Sequence, residues 1–444
     1  MAQEVIPEEV ISEETIPDET PPDVQLGEEV TPMDQSFQEK PPRPEPVPAP
    51  SEQLKDASPF LRDTKLDLNL RTYYSNSDNF DGTRNEAWVL GGSLAYRSGW
   101  FLDRFGAGAA LYTSQPLYAP DGRDGTLLLK PGQEGYSVVG QLYGKAKLAE
   151  QTIIHLYRQE ANSPYLNGND SRMSPNTFEG YTVTGASRVS EGSPRITYGF
   201  GYVDKIKPRN SDQFISMSTA AGAPVQRGVF GGGANVAFPA FSFGAVDYYS
   251  ADVINIGYAE AKYTASLPGH AGFVLSAQFT DQRSVGKDLL KGYSFSTNQA
   301  GVKADMSHGG NILTVAYTRD STGADLQNPW SSYPGYTNVQ VESFNRAGEE
   351  AFMVRGFHDF SRLGLKGLAV YALWVHGWGA VDPATKIPVY QQDEYDCDLQ
   401  WRPKGGEMQG LWFRFRYAHV DQRGAAGASE NDFRVIVNYD LSLL

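Results

Sequence analysis

Leu411-Trp412-Phe413-Arg414-Phe415-Arg416-Tyr417 is the stretch on which the fold turns. Side chains alternate across a β-strand, so Phe413, Phe415 and Tyr417 share one face and Arg414 and Arg416 the other. A soluble sandwich points such arginines to water and such aromatics to its core. A membrane barrel reverses the geometry, with aromatics against lipid and arginines in a water-filled lumen. One strand fits both, so the number and spacing of strands must separate them.

The same alternation recurs at both ends of the chain. Leu66, Leu68 and Leu70 share one face of an early strand, and Asp67, Asn69 and Arg71 the other. At the C-terminus Phe433, Val435, Val437, Tyr439, Leu441 and Leu443 line one face. Arg434, Asn438, Asp440 and Ser442 lie opposite, with Ile436 the one exception. Between these ends the pattern gives about eighteen candidate strands, from 64–74, 86–97 and 104–113 to 391–402, 410–420 and 431–443. Their lengths suit the ~9–11 residues that a tilted membrane strand needs. The connections sort by length. Ser98–Asp103, Ala149–Gln151, Arg362–Lys366 and Pro403–Gln409 are short, whereas 114–135, 160–178, 204–228, 320–348 and 378–390 are long. Short turns on one rim and long loops on the other mark an outer-membrane barrel, and an even strand count puts both termini at the short-turn, periplasmic rim.

Composition agrees. Only 40% of the 444 residues are hydrophobic, while Gly (46), Tyr (25) and Phe (22) are plentiful. No run of 18 apolar residues occurs, which excludes a membrane-spanning helix but not a barrel, because lipid-facing and lumen-facing residues average out.

The net charge of −15 is unevenly placed. Residues 1–60 hold 15 acidic and 3 basic residues, together with 12 of the 27 prolines. The rest holds 38 acidic and 35 basic residues, a balance that argues against a nucleic-acid binder. Residues 1–60 are expected to form an acidic, Pro-rich disordered arm in the periplasm, and 61–444 the barrel. The opening Met1-Ala2-Gln3-Glu4 has neither a basic nor an apolar leader region, so the barrel reading implies a leader already removed.

Little points to chemistry. Cys397 is the only cysteine, which excludes an intrachain disulfide and paired-cysteine metal sites. No HExxH, GxSxG or GxxxxGK[ST] element occurs. Gly231-Gly232-Gly233 enters a strand rather than a phosphate-cradling turn, and His419 and Ser429 near one loop make no catalytic pair. No catalytic residue, metal or cofactor is expected.

From Leu61 to Leu444 the chain resembles the OprD-type porins, substrate-selective outer-membrane channels of Gram-negative bacteria. The resemblance rests on Leu70-Arg71-Thr72-Tyr73-Tyr74 and on the loop from Arg123 to Gly132. It rests equally on Asn169-Asp170-Ser171-Arg172-Met173-Ser174-Pro175-Asn176-Thr177-Phe178-Glu179-Gly180 and on the closing strand from Asp432 to Leu444. It implies an 18-stranded monomeric barrel, narrowed by inward loops, that passes amino acids and small carboxylates; the sequence leaves a trimer open. It implies a basic ladder of Arg71, Arg355, Arg414, Arg416 and Arg434 opposite a small acidic patch, with Asp170, Arg172 and Glu179 in the constriction. Alternation places the five arginines on lumen faces independently. The alternative is that they pair with Asp67, Asp440 and other lumen acids and merely keep the wall polar. Expected partners are outer-membrane lipid, lipopolysaccharide, small solutes and the barrel-assembly machinery, although Leu444 stands where the family commonly ends in Phe. The 60-residue arm and the loop contents depart from the family, which leaves the substrate open. A structural or adhesin-type barrel with a blocked lumen, or a barrel hydrolase, are the rival functions.

Overall fold

The computed structural model describes residues 57–188, 193–330, 333–403, 405–424 and 428–444. Most of the expected acidic arm, residues 1–56, therefore lies outside the described residues.

Eighteen antiparallel strands close into one barrel. In chain order they are β1 (Lys65–Asp78), β2 (Arg84–Arg97), β3 (Phe105–Tyr118), β4 (Tyr136–Ala149), β5 (Thr152–Gln159), β6 (Thr177–Arg188) and β7 (Arg195–Lys207). There follow β8 (Val229–Ala237), β9 (Phe241–Ser250), β10 (Ile254–Leu267), β11 (Ala271–Arg283), β12 (Ser296–His308) and β13 (Asn311–Asp320). The last are β14 (Glu350–Asp359), β15 (Leu368–Trp378), β16 (Gln391–Trp401), β17 (Leu411–Arg423) and β18 (Ala428–Ser442). Each pairs with its sequence neighbour, and β1 closes on β18 over Asp67↔Ser442 to Asp78↔Asn431. Closure matters physically, because an open sheet edge in hydrocarbon leaves backbone groups unsatisfied at several kcal/mol each. A two-residue strand, Ile215–Ser216, pairs with β7 inside a loop and is not part of the wall. All eighteen strands coincide with the expected ones.

The pleat sets the two faces. Along β17 the pattern is strict: Trp412, Arg414, Arg416, Ala418, Val420 and Gln422 are buried inside, and the residues between them look out. The outward face exposes large apolar side chains such as Leu70, Leu90, Phe200, Phe243, Leu313 and Phe415. A water-facing surface does not carry so continuous an apolar cover, whereas lipid requires it. Ile436, the one apolar residue on the polar face of β18, turns inward and packs with Tyr73, Leu128 and Met173. Backbones approach closely at Gly92 (φ 135°), where a Cβ would stand 1.9 Å from the Asn69 carbonyl, so only glycine fits there.

The rims differ as expected, with one refinement: the long-loop rim also carries short connections, 79–83, 251–253 and 424–427. At the opposite rim a one-turn helix, Pro59–Arg62, ties the start of the described chain to the β2–β3 turn. Gly99 N donates to Phe60 O at 3.0 Å, and the Phe60 and Phe101 rings meet edge to face at 6.2 Å.

Candidate functional site

Four basic residues converge on three adjacent strands, β17, β18 and β1. Alternation sends Arg414 and Arg416 of β17, Arg434 of β18 and Arg71 of β1 into the lumen, all nearly buried there. Register sets Arg416 directly opposite Arg434, and Arg71 opposite Asn438. Asp398 of β16 stands opposite Arg416. Its Oδ2 accepts from Arg414 Nε at 2.7 Å and lies 2.7 Å from Arg416 Nε. One carboxylate therefore serves two guanidiniums. Arg416 also donates to Tyr371 Oη of β15 at 3.1 Å. Arg434 donates to Asp432 Oδ2 at 3.1 Å, and Arg71 to Asn438 Oδ1 at 2.6 Å and Asp170 Oδ1 at 2.9 Å.

The arginines thus have partners among the lumen acids, though not Asp67 or Asp440. Asp67 pairs with Arg97, and Asp440 accepts from Asn69 at 2.8 Å. Arg355 is inward as expected, yet it stands apart on β14, where it donates to Thr314 Oγ1 at 3.2 Å. Tyr371 lies between it and the arginines of β17 and β18.

Loops 160–176 and 321–349 fold into the barrel against this wall, with parts of loops 119–135 and 208–228 beside them. In the loop 160–176, Asp170 meets Arg71, and Arg172 Nε donates to Thr126 O at 2.9 Å. Arg209, from the loop after β7, donates to Asn169 Oδ1 at 3.2 Å. Burial pushes Arg172 down to about 10 and Arg209 to about 9, so both remain cationic at neutral pH. At the base of the loop Tyr165 is fully buried, edge-on to Tyr248 (5.9 Å) and Tyr258 (6.4 Å) across the lumen. The loop 321–349 docks on β16 by its backbone: Val341 N and Glu342 N donate to the two oxygens of Glu394, at 2.8 and 2.7 Å. Gln340 N donates to Asp396 Oδ2 at 3.2 Å, and its side-chain amide donates to Asp432 Oδ1 at 2.8 Å.

Glu179 is not in the constriction. It belongs to β6, where Arg158 Nε and Lys205 Nζ each bond it at 3.2 Å. Its neighbour Phe178 packs into the interior, so alternation turns Glu179 outward. Conversely, the acidic row Glu394, Asp396 and Asp398, together with Asp432, Tyr371, Gln340 and Arg209, belongs to the site and was not singled out from sequence. The row alternates through Asp393-Glu394-Tyr395-Asp396-Cys397-Asp398 as plainly as the arginines do. No group of side chains able to hold a metal ion occurs among the described residues.

A family described as outer membrane porin, OprD family, matches residues 58–443. The chain belongs to the OprD family of outer-membrane porins. It is 23% identical to Porin D of Pseudomonas aeruginosa over 88% of this chain and 93% of that protein. It is 24% identical to the porin-like protein GalP of Pseudomonas putida, over 87% of this chain and 94% of that protein. Among solved structures, OccK9 (OpdG) of Pseudomonas aeruginosa superposes with a TM-score of 0.78 at 25% identity, covering 87% of this chain and all of that one (100%). OpdK of the same organism, solved with vanillate, superposes with a TM-score of 0.74 at 23% identity, covering 86% and 100%. This OprD-family porin is therefore an outer-membrane channel for small solutes, and its relatives are channels rather than enzymes.

Proposed function

We propose that this OprD-family porin passes small carboxylate-bearing solutes, amino acids among them, along the wall formed by Arg414, Arg416, Arg434 and Arg71. The observation that carries the reading is the sharing of Asp398 by Arg414 and Arg416, on an inward face that continues through Arg434 to Arg71. A solute carboxylate entering a narrow passage sheds part of its water. Guanidiniums replace that hydration with paired, charge-assisted hydrogen bonds. Arg414 and Arg416 project from one face and meet at one carboxylate oxygen, each Nε 2.7 Å from it, close enough for a solute carboxylate to pass from the first group to the second. Asp170 and Arg172 narrow the passage from the loop side, and the acidic row on β16 supplies acceptors for a solute's ammonium end.

The outward apolar face suits outer-membrane lipid and lipopolysaccharide. The closing strand β18 is the segment the barrel-assembly machinery would take up, and a closed wall without sheet edges suits a monomer.

Reversal potential in planar bilayers under a KCl gradient tests the reading. Arg414→Gln with Arg416→Gln should shift selectivity toward cations and slow uptake of a small carboxylate, with the shift shrinking at high salt. A reversal potential equal to wild type would show that these arginines only balance wall acids. Absence of any current would favour a blocked barrel.

A further inference from the structure

Trp412 and Asn438 are register partners across β17 and β18, and both turn into the barrel, where Trp412 is 5% and Asn438 1% exposed. Trp412 is the inward position next to Arg414, on the side toward the periplasmic rim. Each of the two carries a donor that nothing answers. Trp412 Nε1 and Asn438 Nδ2 are buried and find no acceptor among the described residues. The orientation of the amide is fixed, because Asn438 Oδ1 accepts from Arg71 Nε at 2.6 Å and leaves Nδ2 on the other side. Residues directly opposite on one face of a sheet hold their Cβ atoms about 4.5–5.5 Å apart, so the two unmet donors belong to one spot. A buried N–H without an acceptor costs stability, and native chains keep few of them. Two in register, in the wall of a channel, call for an acceptor that arrives with the solute.

Positive charge surrounds the spot. The Arg402 guanidinium, from the turn before β17, lies 4.8 Å from the centre of the Trp412 ring, and that of Arg414 lies 5.7 Å from it. Arg402 also donates to Gln400 Oε1 at 3.3 Å. The acids that act on Arg402 are bonded elsewhere, Asp398 to Arg414 and Arg416 and Asp440 to Asn69. Guanidiniums lie over the ring, so its N–H edge is the part left for a ligand. A pair of neutral donors also suits the end of a row of arginines. It holds an anion by hydrogen bonds without the pull of a further cation, and conduction requires binding weak enough to leave.

We propose that Trp412 Nε1 and Asn438 Nδ2 form a carboxylate-binding station, the last along the arginine wall before the periplasm. Both groups donate to the oxygens of a solute carboxylate, while Arg402 and Arg414 supply the charge. The station rests on the reading that carboxylates follow that wall. It adds to the wall two residues without charge, which set how readily the solute is released.

The indole N–H reports the site directly. In the full-length porin, isotope-labelled at its tryptophan indoles and read by magnetic resonance, Trp412→Phe identifies the Trp412 signal. Sodium acetate should move that signal saturably, and sodium chloride at equal ionic strength should not. No movement, or equal movement with chloride, would overturn the station; phosphate acting as strongly as acetate would overturn its assignment to carboxylates. Asn438→Asp keeps the acceptor for Arg71 and replaces the donor by an oxygen, so acetate should no longer move the Trp412 signal. In planar bilayers acetate should depress the chloride current, and Trp412→Phe, which keeps an aromatic ring and loses the N–H, should weaken that block severalfold. Equal block in the two proteins would also overturn the proposal. The indole signal reads occupancy at Trp412 rather than passage along the wall. The Arg414→Gln, Arg416→Gln pair reads the wall separately, so failure of either idea is told apart from failure of the other.

Discussion

Arg416 and Arg434 stand directly opposite each other across the β17–β18 pair, both inside the barrel. Like charges opposed in this way destabilise a sheet, so the pair persists only because Asp398 and Asp432 flank it. The wall is thus a strip of alternating charge in which Asp398 is shared by two guanidiniums. Function and stability pull in opposite directions there, as at many sites built to bind a charged ligand.

Asp398→Asn follows from this. The amide keeps an acceptor oxygen and the side-chain shape but removes the charge shared by Arg414 and Arg416. Selectivity should move toward anions, opposite in sign to the Arg414→Gln, Arg416→Gln pair, while the barrel loses on the order of 2 kcal/mol of stability. Reversal potential gives the sign and a refolding titration the cost. A shift of the same sign in both variants would contradict the charge-sharing account.

The lipid face carries a second expectation. Val437 looks outward in the middle of β18, opposite Phe413 and Thr72 on its two neighbours. Arg at that depth should cost roughly 2–4 kcal/mol. Arg at Ser429, on the same face at the outer rim, should cost little. Refolding into lipid vesicles monitored in urea compares the two, and equal stability of both variants would contradict the assigned membrane depth.

The strands and their faces were legible in the sequence because barrel closure makes nearly every residue obey a period of two. Leu66 to Arg71 and Phe433 to Asp440 read correctly with no neighbour known. Ile436 broke the pattern only because the Arg123–Gly132 loop and Met173 fold inward and give it an apolar partner. The inward placement of Arg71, Arg414, Arg416 and Arg434 was legible, since alternation gives the face and strand order the adjacency. Their partners were not legible. That Asp398 rather than Asp67 or Asp440 meets the arginines depends on register between strands, which one sequence does not state. The docking of Gln340, Val341 and Glu342 uses mostly backbone N–H groups, which any residue carries, so no residue type announces it. Glu179 was misplaced for a related reason: proximity to Asp170 along the chain says nothing of the outward turn taken at the start of β6.

The loops on the outer rim carry a pH dependence. Lys130 Nζ bonds Asp212 Oδ2 at 3.0 Å, joining the loop after β3 to the loop after β7. That bond from Lys130 holds the Asp212 carboxyl below its usual value and raises the Lys130 ammonium. A lowered carboxylate contributes above its unfolded value near ~3.9 and loses its contribution as pH falls through the lowered one. A raised ammonium contributes until pH climbs through the raised value. The clasp should hold across the neutral range and release as pH falls below the usual carboxylate range. Amide exchange in 208–228 should speed up on acidification, and Lys130→Gln should show fast exchange already at neutral pH. Identical exchange in wild type and variant at neutral pH would contradict the clasp.

The inward loop 160–176 has two anchors that ought to act differently. Tyr165 holds its base: the ring is fully buried, its hydroxyl donates to Thr280 Oγ1 at 3.3 Å, and its N–H donates to Tyr248 Oη at 3.2 Å. Asp170 holds its far end to Arg71 at 2.9 Å. Truncating a buried aromatic removes on the order of 3–5 kcal/mol of local packing. That packing lies in the loop rather than in the strand ladder, so Tyr165→Ala should free the loop while the wall stays closed. Single-channel conductance should rise and the current become noisier, with little change in ion selectivity. Asp170→Asn leaves the base packed and removes only the charge facing Arg71, so conductance should stay near wild type and selectivity move toward anions. Recording both variants in the same bilayer under a KCl gradient separates steric from electrostatic control. If Tyr165→Ala leaves conductance unchanged, the loop does not set the width of the passage, and the narrowing must come from the other inward loops, 119–135, 208–228 and the 321–349 loop held by Glu394.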